Sequence, residues 1–260
     1  MLTETTIVIA AYNEENRLPE SLKKIQAYLV GSGLKAEIVI VDDGSTDNTA
    51  ALVRNISAGM PGLRLISYPR NRGKGYALRA GVLSSRGSMV LITDADLSTP
   101  IEELDILRPH IISQSHHIAI GSRALAQSEI IKAQHPLRRG MGRLFNHLVK
   151  LLVINDFHDT QCGFKLFSGE VARRLFKKAR IDRFAYDVEI LALAKKTGYC
   201  IAEVPIKWEN CTASKVNPLF DSLQMVADLV KIRMTTRQTQ EEVMAPLEPL
   251  EPLDSESVNP

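Results

Sequence analysis

Short apolar segments alternate with helical hydrophobic patterns along the first half of the chain. Each segment holds four to six residues and is rich in Ile, Val and Leu, as expected for buried strands. The predicted strands lie at 6–11, 37–41, 63–68, 89–93 and 117–121. Helices are predicted after the first four of them, at 18–30, 46–57, 75–85 and 102–113. This alternation is typical of an α/β fold with a parallel sheet that helices cover on both faces.

The second half of the chain is less regular. A basic amphipathic segment at 136–154 leads into a polar loop at 155–165. Further helices are predicted at 169–179, 186–197 and 218–237, with a strand pair at 200–208 that Pro205 interrupts. One domain over 5–237 is therefore expected.

Composition narrows the class of protein. Hydrophobic residues make up 45% of the 260 positions and charged residues 24%, which are globular values. No apolar run approaches the roughly 18 residues of a membrane span, and the N-terminus lacks the pattern of a signal peptide. Three cysteines without a CxxC pair argue against a disulfide framework and favour a reducing cytoplasm.

The formal net charge of +2 conceals an acidic C-terminal segment. Residues 239–260 contain six acids and no Lys or Arg, so the rest of the chain carries 32 basic and 24 acidic residues. A basic body suits an anionic ligand, such as a nucleotide diphosphate or a phospholipid surface, and no nucleic-acid partner is predicted. Because Pro recurs every three residues in this segment, 238–260 is predicted to be a disordered tail.

Three predicted strands are followed by loops with acidic residues, at 11–15, 42–47 and 94–98. In an open parallel sheet the ligand binds beyond the carboxyl ends of the strands, so these carboxylates should converge there. Asp94 and Asp96 are two residues apart and should present both carboxyls on one face. Oxygen ligands of this kind suit Mg²⁺ or Mn²⁺, whose remaining positions substrate phosphates and water can fill.

The loop at 42–47 and a further loop at 70–75 suit a nucleotide. Asp42 and Asp43 can accept hydrogen bonds from a base and a ribose, and Gly44 permits a tight turn into the next helix. The loop at 70–75 offers cations, including Lys74, and backbone N–H groups to phosphate oxygens at a helix start. It has neither Walker spacing nor a full dinucleotide fingerprint, so a dehydrogenase is excluded.

These motifs resemble the family 2 glycosyltransferases of GT-A fold. Ile-Val-Ile-Ala-Ala-Tyr-Asn-Glu-Glu, Val-Asp-Asp-Gly-Ser-Thr-Asp, Asn-Arg-Gly-Lys-Gly, Thr-Asp-Ala-Asp-Leu-Ser and Gly-Ser-Arg occur in the family's order. Asp159-Thr-Gln-Cys-Gly-Phe-Lys-Leu-Phe and Arg183-Phe-Ala-Tyr-Asp-Val-Glu-Ile-Leu resemble the branch that glucosylates dolichyl or polyprenyl phosphate from UDP-glucose. The resemblance implies a Rossmann-like, mostly parallel sheet, with a nucleotide-sugar half at about 5–123 and an acceptor half at about 124–237.

The resemblance also implies the site residues. A metal is expected at Asp94 and Asp96, and the phosphates at Lys74 and Arg123. The full nucleotide-sugar set is Ala11, Asn13, Glu14, Asp42, Asp43, Lys74, Asp94, Ala95 and Arg123. The expected acceptor contacts are Arg138, Arg139, Arg143, Gln161 and Lys165.

The predicted reaction is an inverting hexose transfer, with glucose from UDP-glucose as the expected donor group. An alcohol acceptor would need a general base, whereas a phosphate monoester is already largely dianionic at neutral pH. Asp159 and Asp187 are the candidates for a catalytic base or a positioning role. A soluble or glycan acceptor and a non-catalytic nucleotide-sugar-binding subunit remain alternatives. A nucleotidyltransferase is disfavoured because its first loop should be Gly-rich and basic.

The segment at 136–154 combines an apolar face with flanking cations. Such a helix is typical of a membrane interface, and peripheral contact at the inner face of the membrane is predicted for an otherwise cytoplasmic protein. The alternative is that its Leu and Phe residues pack on the sheet as core.

Overall fold

The computed structural model describes residues 3–132, 136–211 and 220–238. The strands are β1 Thr5–Ala11, β2 Ala36–Asp42, β3 Leu63–Ser67, β4 Met89–Asp94, β5 Ile118–Ser122, β6 Glu129–Lys132, β7 Lys165–Ser168, β8 Ile201–Pro205 and β9 Lys207–Glu209. The helices are α1 Leu18–Ser32, α2 Thr49–Ser57, α3 Lys74–Leu83, α4 Leu104–Ile112, α5 Pro136–Leu152, α6 Gly169–Lys178, α7 Tyr186–Lys196 and α8 Phe220–Gln238. A short 3₁₀ turn, Ile101–Glu103, precedes α4.

The main sheet has seven strands in the order β3-β2-β1-β4-β7-β5-β8. All run parallel except β7, which is antiparallel to both neighbours. The α/β class and the mostly parallel sheet are therefore confirmed. Connections leave β1 toward β2 on one side and β4 on the other, which opens a crevice at the carboxyl edge. The register places Ala11 opposite Asp42 and Ala10 opposite Asp94, so the acidic loops start side by side.

The core lies on both faces of this sheet. Ile7 and Ile9 of β1 pack with α1, α2 and α4, while Val8 between them packs with α3 and the later helices. Alternate residues of a strand point to opposite faces, and burial on both explains the continuous apolar runs in the sequence. The buried strands give the loops at the carboxyl edge a rigid base.

Strands β6 and β7 were not predicted. β7 begins at the buried Lys165, within the segment assigned to a polar loop, and inserts between β4 and β5. The two strands predicted at 200–208 form as β8 and β9, but they do not pair with each other. β8 joins β5 in the main sheet, and β9 pairs with β6 in a separate two-stranded sheet. These partners are far apart in sequence, so local pattern could not identify them.

Helix α5 divides its apolar residues between two environments. Phe145 and Val149 are buried in the core, whereas the side chains of Leu144 and Leu151 are 63% and 68% exposed. The core interpretation therefore holds for one face of the segment, and contact of the other face with a membrane stays a prediction. Among the described residues no helix is long and apolar enough to cross a membrane.

The domain boundaries stay a prediction. Elements from both halves share the main sheet, and α8 extends to Gln238, one residue beyond the expected end. The tail from 239 onward lies outside the described residues.

Candidate active site

The loops after β1 and β2 are tied together by hydrogen bonds. Asn13 has a φ of +55°, a left-handed conformation that Asn tolerates better than most residues. Its Oδ1 accepts a hydrogen bond from the Thr46 backbone N–H at 2.8 Å, and its own N–H donates to Ser45 Oγ at 2.9 Å. Because the 46–47 amides bond to Asn13, α2 starts at Thr49 and not at the predicted residue 46.

Asp43 organises the loop before α3. Its buried carboxylate accepts hydrogen bonds from Tyr68 Oη and the Arg72 N–H at 2.8 Å, and from Asn71 Nδ2 and the Gly73 N–H at 2.9 Å. Four donors occupy the acceptor positions of this carboxylate. Asp43 therefore shapes the loop that delivers the next residue, Lys74, to the crevice.

Lys74 and Asp94 form an ion pair in the crevice. Lys74 is the first residue of α3, and its Nζ lies 2.5 Å from Asp94 Oδ1. Burial opposes both charges, but the Asp94 and Asp187 carboxylates outweigh it and raise the pKa of Lys74. Burial also opposes the charged form of Asp94, but Lys74, Lys165 and Arg123 outweigh it and lower its pKa. Both groups are therefore charged at neutral pH.

Gly163 packs directly against the Asp94 carboxylate. A Cβ added at this glycine would overlap the carboxylate oxygens. The absence of a side chain at 163 therefore lets the loop before β7 close on the end of β4. This contact determines where the carboxylate can point.

Asp96 lies on the same loop and has weaker partners. Its Oδ1 accepts the Ser98 N–H at 3.0 Å, and its Oδ2 is 3.4 Å from Arg17 Nη1. Arg17 also pairs with Glu14, which connects the loops after β1 and β4. About a fifth of the Asp96 side chain is exposed, 19%, so its oxygens face the crevice.

Arg123 and Asp159 form a two-point ion pair beyond β5. Arg123 Nε and Nη2 lie 2.7 and 2.9 Å from the carboxylate oxygens, which also accept the Arg123 and Gln161 backbone N–H groups. Burial opposes ionisation of Asp159, but Arg123 outweighs it and lowers the pKa. The guanidinium is also 5.5 Å from the Trp208 ring, and its orientation is therefore fixed from two sides.

Lys165 and Asp187 form a second, deeper pair. Both side chains are almost wholly buried, and Lys165 Nζ donates to Asp187 Oδ1 and to the Cys162 carbonyl. Burial raises the pKa of Asp187, while Lys165 and Lys74 act in the opposite direction. The hydroxyl of the neighbouring Tyr186 is buried, and burial together with the Asp187 carboxylate raises its pKa.

The crevice can accommodate an anion and a hard cation. Lys74 and Arg123 are each about a quarter exposed, 26% and 29%, and can meet phosphate oxygens. Asp94 and Asp96 offer carboxylate oxygens, which fit a divalent ion that keeps water or phosphate ligands. Within the described ranges no group of three or more His, Cys, Asp or Glu is placed to hold a metal alone. The donor set therefore fits an ion that is bound together with a diphosphate.

Comparison with known families decides the class of protein. The family model described as "Glycosyl transferase family 2" matches residues 6–176, which include every strand-end loop described above. The chain belongs to glycosyltransferase family 2. As a family 2 glycosyltransferase it is an enzyme of glycosyl transfer, in agreement with the resemblance of its motifs.

Similar curated proteins cover both halves of this family 2 glycosyltransferase. A dolichyl-phosphate beta-glucosyltransferase of Dictyostelium discoideum is 39% identical over 239 residues, covering 88% of this chain and 73% of the relative. One from Trichomonas vaginalis is 38% identical over 242 residues, covering 90% and 72%. The Homo sapiens protein of the same description is 35% identical over 243 residues, covering 89% and 75%.

Solved structures share the fold at low identity. Glucosyl-3-phosphoglycerate synthase from Mycobacterium tuberculosis, in complex with Mn²⁺, UDP-glucose and phosphoglyceric acid, has a TM-score of 0.68 and 18% identity, covering 90% of this chain and 79% of that one. Mannosyl-3-phosphoglycerate synthase from Rubrobacter xylanophilus has a TM-score of 0.65 and 19% identity, covering 96% and 79%. The predicted GT-A fold of this family 2 enzyme is confirmed.

The structure gathers most of the predicted nucleotide-sugar residues at the carboxyl edge, and their roles stay predictions. Asp42 and Asp43 are buried, and Glu14 is paired with Arg17. Ala11 and Ala95 could contribute only backbone, and their carbonyls already accept hydrogen bonds from the Asp43 N–H and from Ser21 Oγ.

The predicted acceptor residues are less concentrated. Arg143 is exposed on α5, while the side chains of Arg138 and Arg139 lie outside those that the structure describes. Gln161 is half-buried, and Lys165 is buried with two partners, so a direct acceptor contact at Lys165 would require those bonds to break.

Sequence reasoning did not single out Arg17 or Gly163. Arg17 follows Glu14 by three residues at the start of α1, a spacing that favours an ion pair. Gly163 stands in the quoted 159–167 motif, but its contact with Asp94 joins loops about seventy residues apart, which no local signal reveals.

Proposed function

We propose that this enzyme transfers glucose from UDP-glucose to dolichyl phosphate or a related polyprenyl phosphate, with inversion at the anomeric carbon. The observation that carries the proposal is the similarity to dolichyl-phosphate beta-glucosyltransferases, which extends over 242 residues and through the acceptor half. A similarity confined to the nucleotide half would have left the acceptor open.

The chemistry of the proposed acceptor agrees with the site. A phosphate oxygen attacks C1 of the glucose, the bond from C1 to the β-phosphate oxygen breaks, and UDP leaves with the electron pair. A monoester with a second pKa near 6 is already largely dianionic at pH 7, so no base has to remove a proton. The reaction then depends on cations that hold two negatively charged phosphates close together.

Asp159 and Asp187 fit positioning roles in this scheme. Asp159 accepts four hydrogen bonds, and the Arg123 guanidinium lowers its pKa, which makes it a poor acceptor for a further proton. Asp187 is buried against Lys165. We assign Asp159 to the orientation of Arg123 and Asp187 to the support of Lys165 behind Lys74 and Asp94.

Asp94 and Asp96 would hold Mg²⁺ or Mn²⁺, which supplies charge stabilisation to the leaving diphosphate when it is bound. Asp96→Asn removes one charged ligand and keeps a single acceptor oxygen, which can retain the Ser98 contact at 3.0 Å while the longer Arg17 contact is lost. Turnover should fall by roughly 10²-fold or more and need more metal, with little change in melting temperature. Metal titration of turnover tests this, and an unchanged metal requirement would remove Asp96 from the site.

The lipid acceptor implies contact with a membrane surface from the cytoplasmic side. The exposed Leu144 and Leu151, with Arg143 nearby on α5, support an interfacial position for this helix. Attachment of this kind would bring the crevice to the phosphate of the lipid.

One assay separates the alternatives. Purified protein with Mg²⁺ or Mn²⁺ is incubated with several UDP- and GDP-sugars and either polyprenyl phosphate or soluble alcohols and phosphates, and product mass is followed. The expected product is glucosyl phosphoryl polyprenol, formed only from UDP-glucose. Transfer to a soluble acceptor alone would refute the lipid assignment, and donor binding without any transfer would indicate a non-catalytic subunit.

A further inference from the structure

A second cavity lies away from the crevice, where the C-terminal ends of α5 and α7 meet α8. Its volume is about 560 Å³. Four cations line it, and Asp156 is the acidic residue in the lining. The cations are Lys150, Lys195, Lys196 and Arg233.

Two of these cations are already used within the protein. Lys195 Nζ lies 2.7 Å from Asp156 Oδ1, and Arg233 Nη1 donates to the Leu152 carbonyl at 2.9 Å. Cations at helix C-termini commonly stabilise the last carbonyls, and Arg233 does so here. Contacts within the protein therefore account for two of the four cations, Lys195 and Arg233.

The other two cations have no such role. Lys150 and Lys196 have no hydrogen-bond or ion-pair partner among the described residues. Lys196 is half-buried as a residue, but its Nζ is shielded from solvent at the wall of the cavity. An ammonium in this position has donor capacity that the oxygens of a bound anion can use.

The surroundings of the cavity are apolar and exposed. Leu151, which lines it, is 68% exposed, and Leu144 lies two turns earlier on the same face of α5. Met234, the residue after Arg233 on α8, is 64% exposed. Cations beside exposed apolar side chains are the pattern of a protein surface that enters a lipid headgroup region.

We propose that this cavity binds the phosphate headgroup of an anionic phospholipid. Charge complementarity with Lys150 and Lys196 selects the phosphate, and the exposed leucines select a bilayer over a free ion. The site would fix the C-terminal end of α5 on the membrane. This inference goes beyond the proposed function and does not depend on the reaction.

Vesicle binding tests the proposal directly. Wild-type protein should sediment with vesicles of phosphatidylcholine plus phosphatidylglycerol and not with phosphatidylcholine alone. A Lys150→Ala, Lys196→Ala variant should bind roughly 10- to 30-fold more weakly, since each cation near an anionic leaflet contributes about one order of magnitude or less. A Lys177→Ala, Lys178→Ala variant, which removes two exposed lysines of α6, is the matched control and should bind like wild type. Equal losses in both variants would mean unspecific charge attraction and overturn the proposal.

Chemical acetylation of Lys150, followed by mass spectrometry, supplies a readout at the site, since this half-buried lysine lines the cavity. Anionic vesicles should protect Lys150, and inorganic phosphate at the same phosphate concentration should not. Equal protection by inorganic phosphate would identify a small-anion site and refute the lipid assignment, and no protection by vesicles would refute the site itself.

Transfer to detergent-dispersed polyprenyl phosphate keeps this inference separate from the proposed function. The Lys150→Ala, Lys196→Ala variant should retain that activity. If the wild type shows no transfer, the proposed function fails, while the vesicle results still decide the headgroup site.

Discussion

At the scale of single residues, the site depends on contacts that leave little room for change. The carboxylate of Asp94 is held between Lys74 and the backbone of Gly163. Asp43 and Asp159 each accept four hydrogen bonds, so both carboxylates hold the residues that donate to them in position. The cations are therefore presented to ligand by carboxylates that are themselves fully bonded.

Gly163→Ala should reduce kcat/KM for the donor by roughly 10²-fold, because an added methyl would push the Asp94 carboxylate from its position. Steady-state kinetics measure kcat/KM, and a melting curve measures the stability of the variant. Gly31→Ala, on the exposed side of α1 with nothing within 4 Å of the added Cβ, is the matched control and should keep full activity. If Gly163→Ala is as active as that control, catalysis does not depend on the position of the Asp94 carboxylate that Gly163 permits.

Asp159→Asn separates a positioning role from a base. The variant loses the charge that orients Arg123, so KM for the nucleotide-sugar donor should rise by about tenfold while the pH profile of kcat keeps its shape. Arg123→Lys should raise the same KM, and the double variant should be little worse than either single one. Loss of the acidic limb of the kcat profile, with a fall of 10²-fold or more, would instead identify Asp159 as a general base.

At the scale of elements, α5 has two faces with different tasks. Val149 is fully buried against the core, and Leu144 projects from the surface. Since one face of the helix packs into the core, the other face is available for a ligand or a bilayer.

Val149→Ala should lower the free energy of unfolding by about 1–2 kcal/mol, from lost apolar burial and a residual cavity. Leu144→Ala should change it by less than about 0.5 kcal/mol, because the side chain is already largely in water. Urea unfolding measures both. Vesicle binding should show the reverse order: Leu144→Ala should bind vesicles more weakly than wild type, and Val149→Ala should bind them equally well. If Leu144→Ala also binds vesicles like wild type, Leu144 does not contact the bilayer.

At the scale of the whole molecule, the buried ion pairs couple stability to pH. Arg123 and Lys74 lower the pKa values of Asp159 and Asp94 in the folded state, although burial opposes this. In the window below the unfolded pKa of about 3.9, the unfolded chain therefore binds more protons than the folded one. Stability that is present above this window is lost as pH falls through it.

Asp159→Asn should therefore lose stability less steeply than wild type below about pH 4, by up to about one proton in the slope. Asp187, whose pKa burial raises, contributes with the opposite sign above its unfolded value and so does not obscure this window. Urea unfolding between neutral and acid pH measures the slope for both proteins. An identical acid slope would mean that Asp159 titrates alike in both states.

The sequence by itself determined the strands β1 to β5, the helices that follow the first four, and the loops in which acidic residues leave the sheet. These features are local, because an apolar run, a turn residue and a helical period lie within a dozen residues of one another. The motifs around 94 and 159 also indicated the family before any contact was known. The prediction at Asp42 and Asp43 found the right edge of the sheet for the same reason.

Only the tertiary structure decided how those loops act on one another. β7 inserts between β4 and β5, and its Lys165 has a buried partner in Asp187, which is 22 residues away. The contact of Gly163 with Asp94, the pairing of β9 with β6 and the two faces of α5 likewise join segments that are distant in sequence. Whether a carboxylate is free to meet a ligand or already has four donors depends on such contacts, and a linear pattern does not contain them.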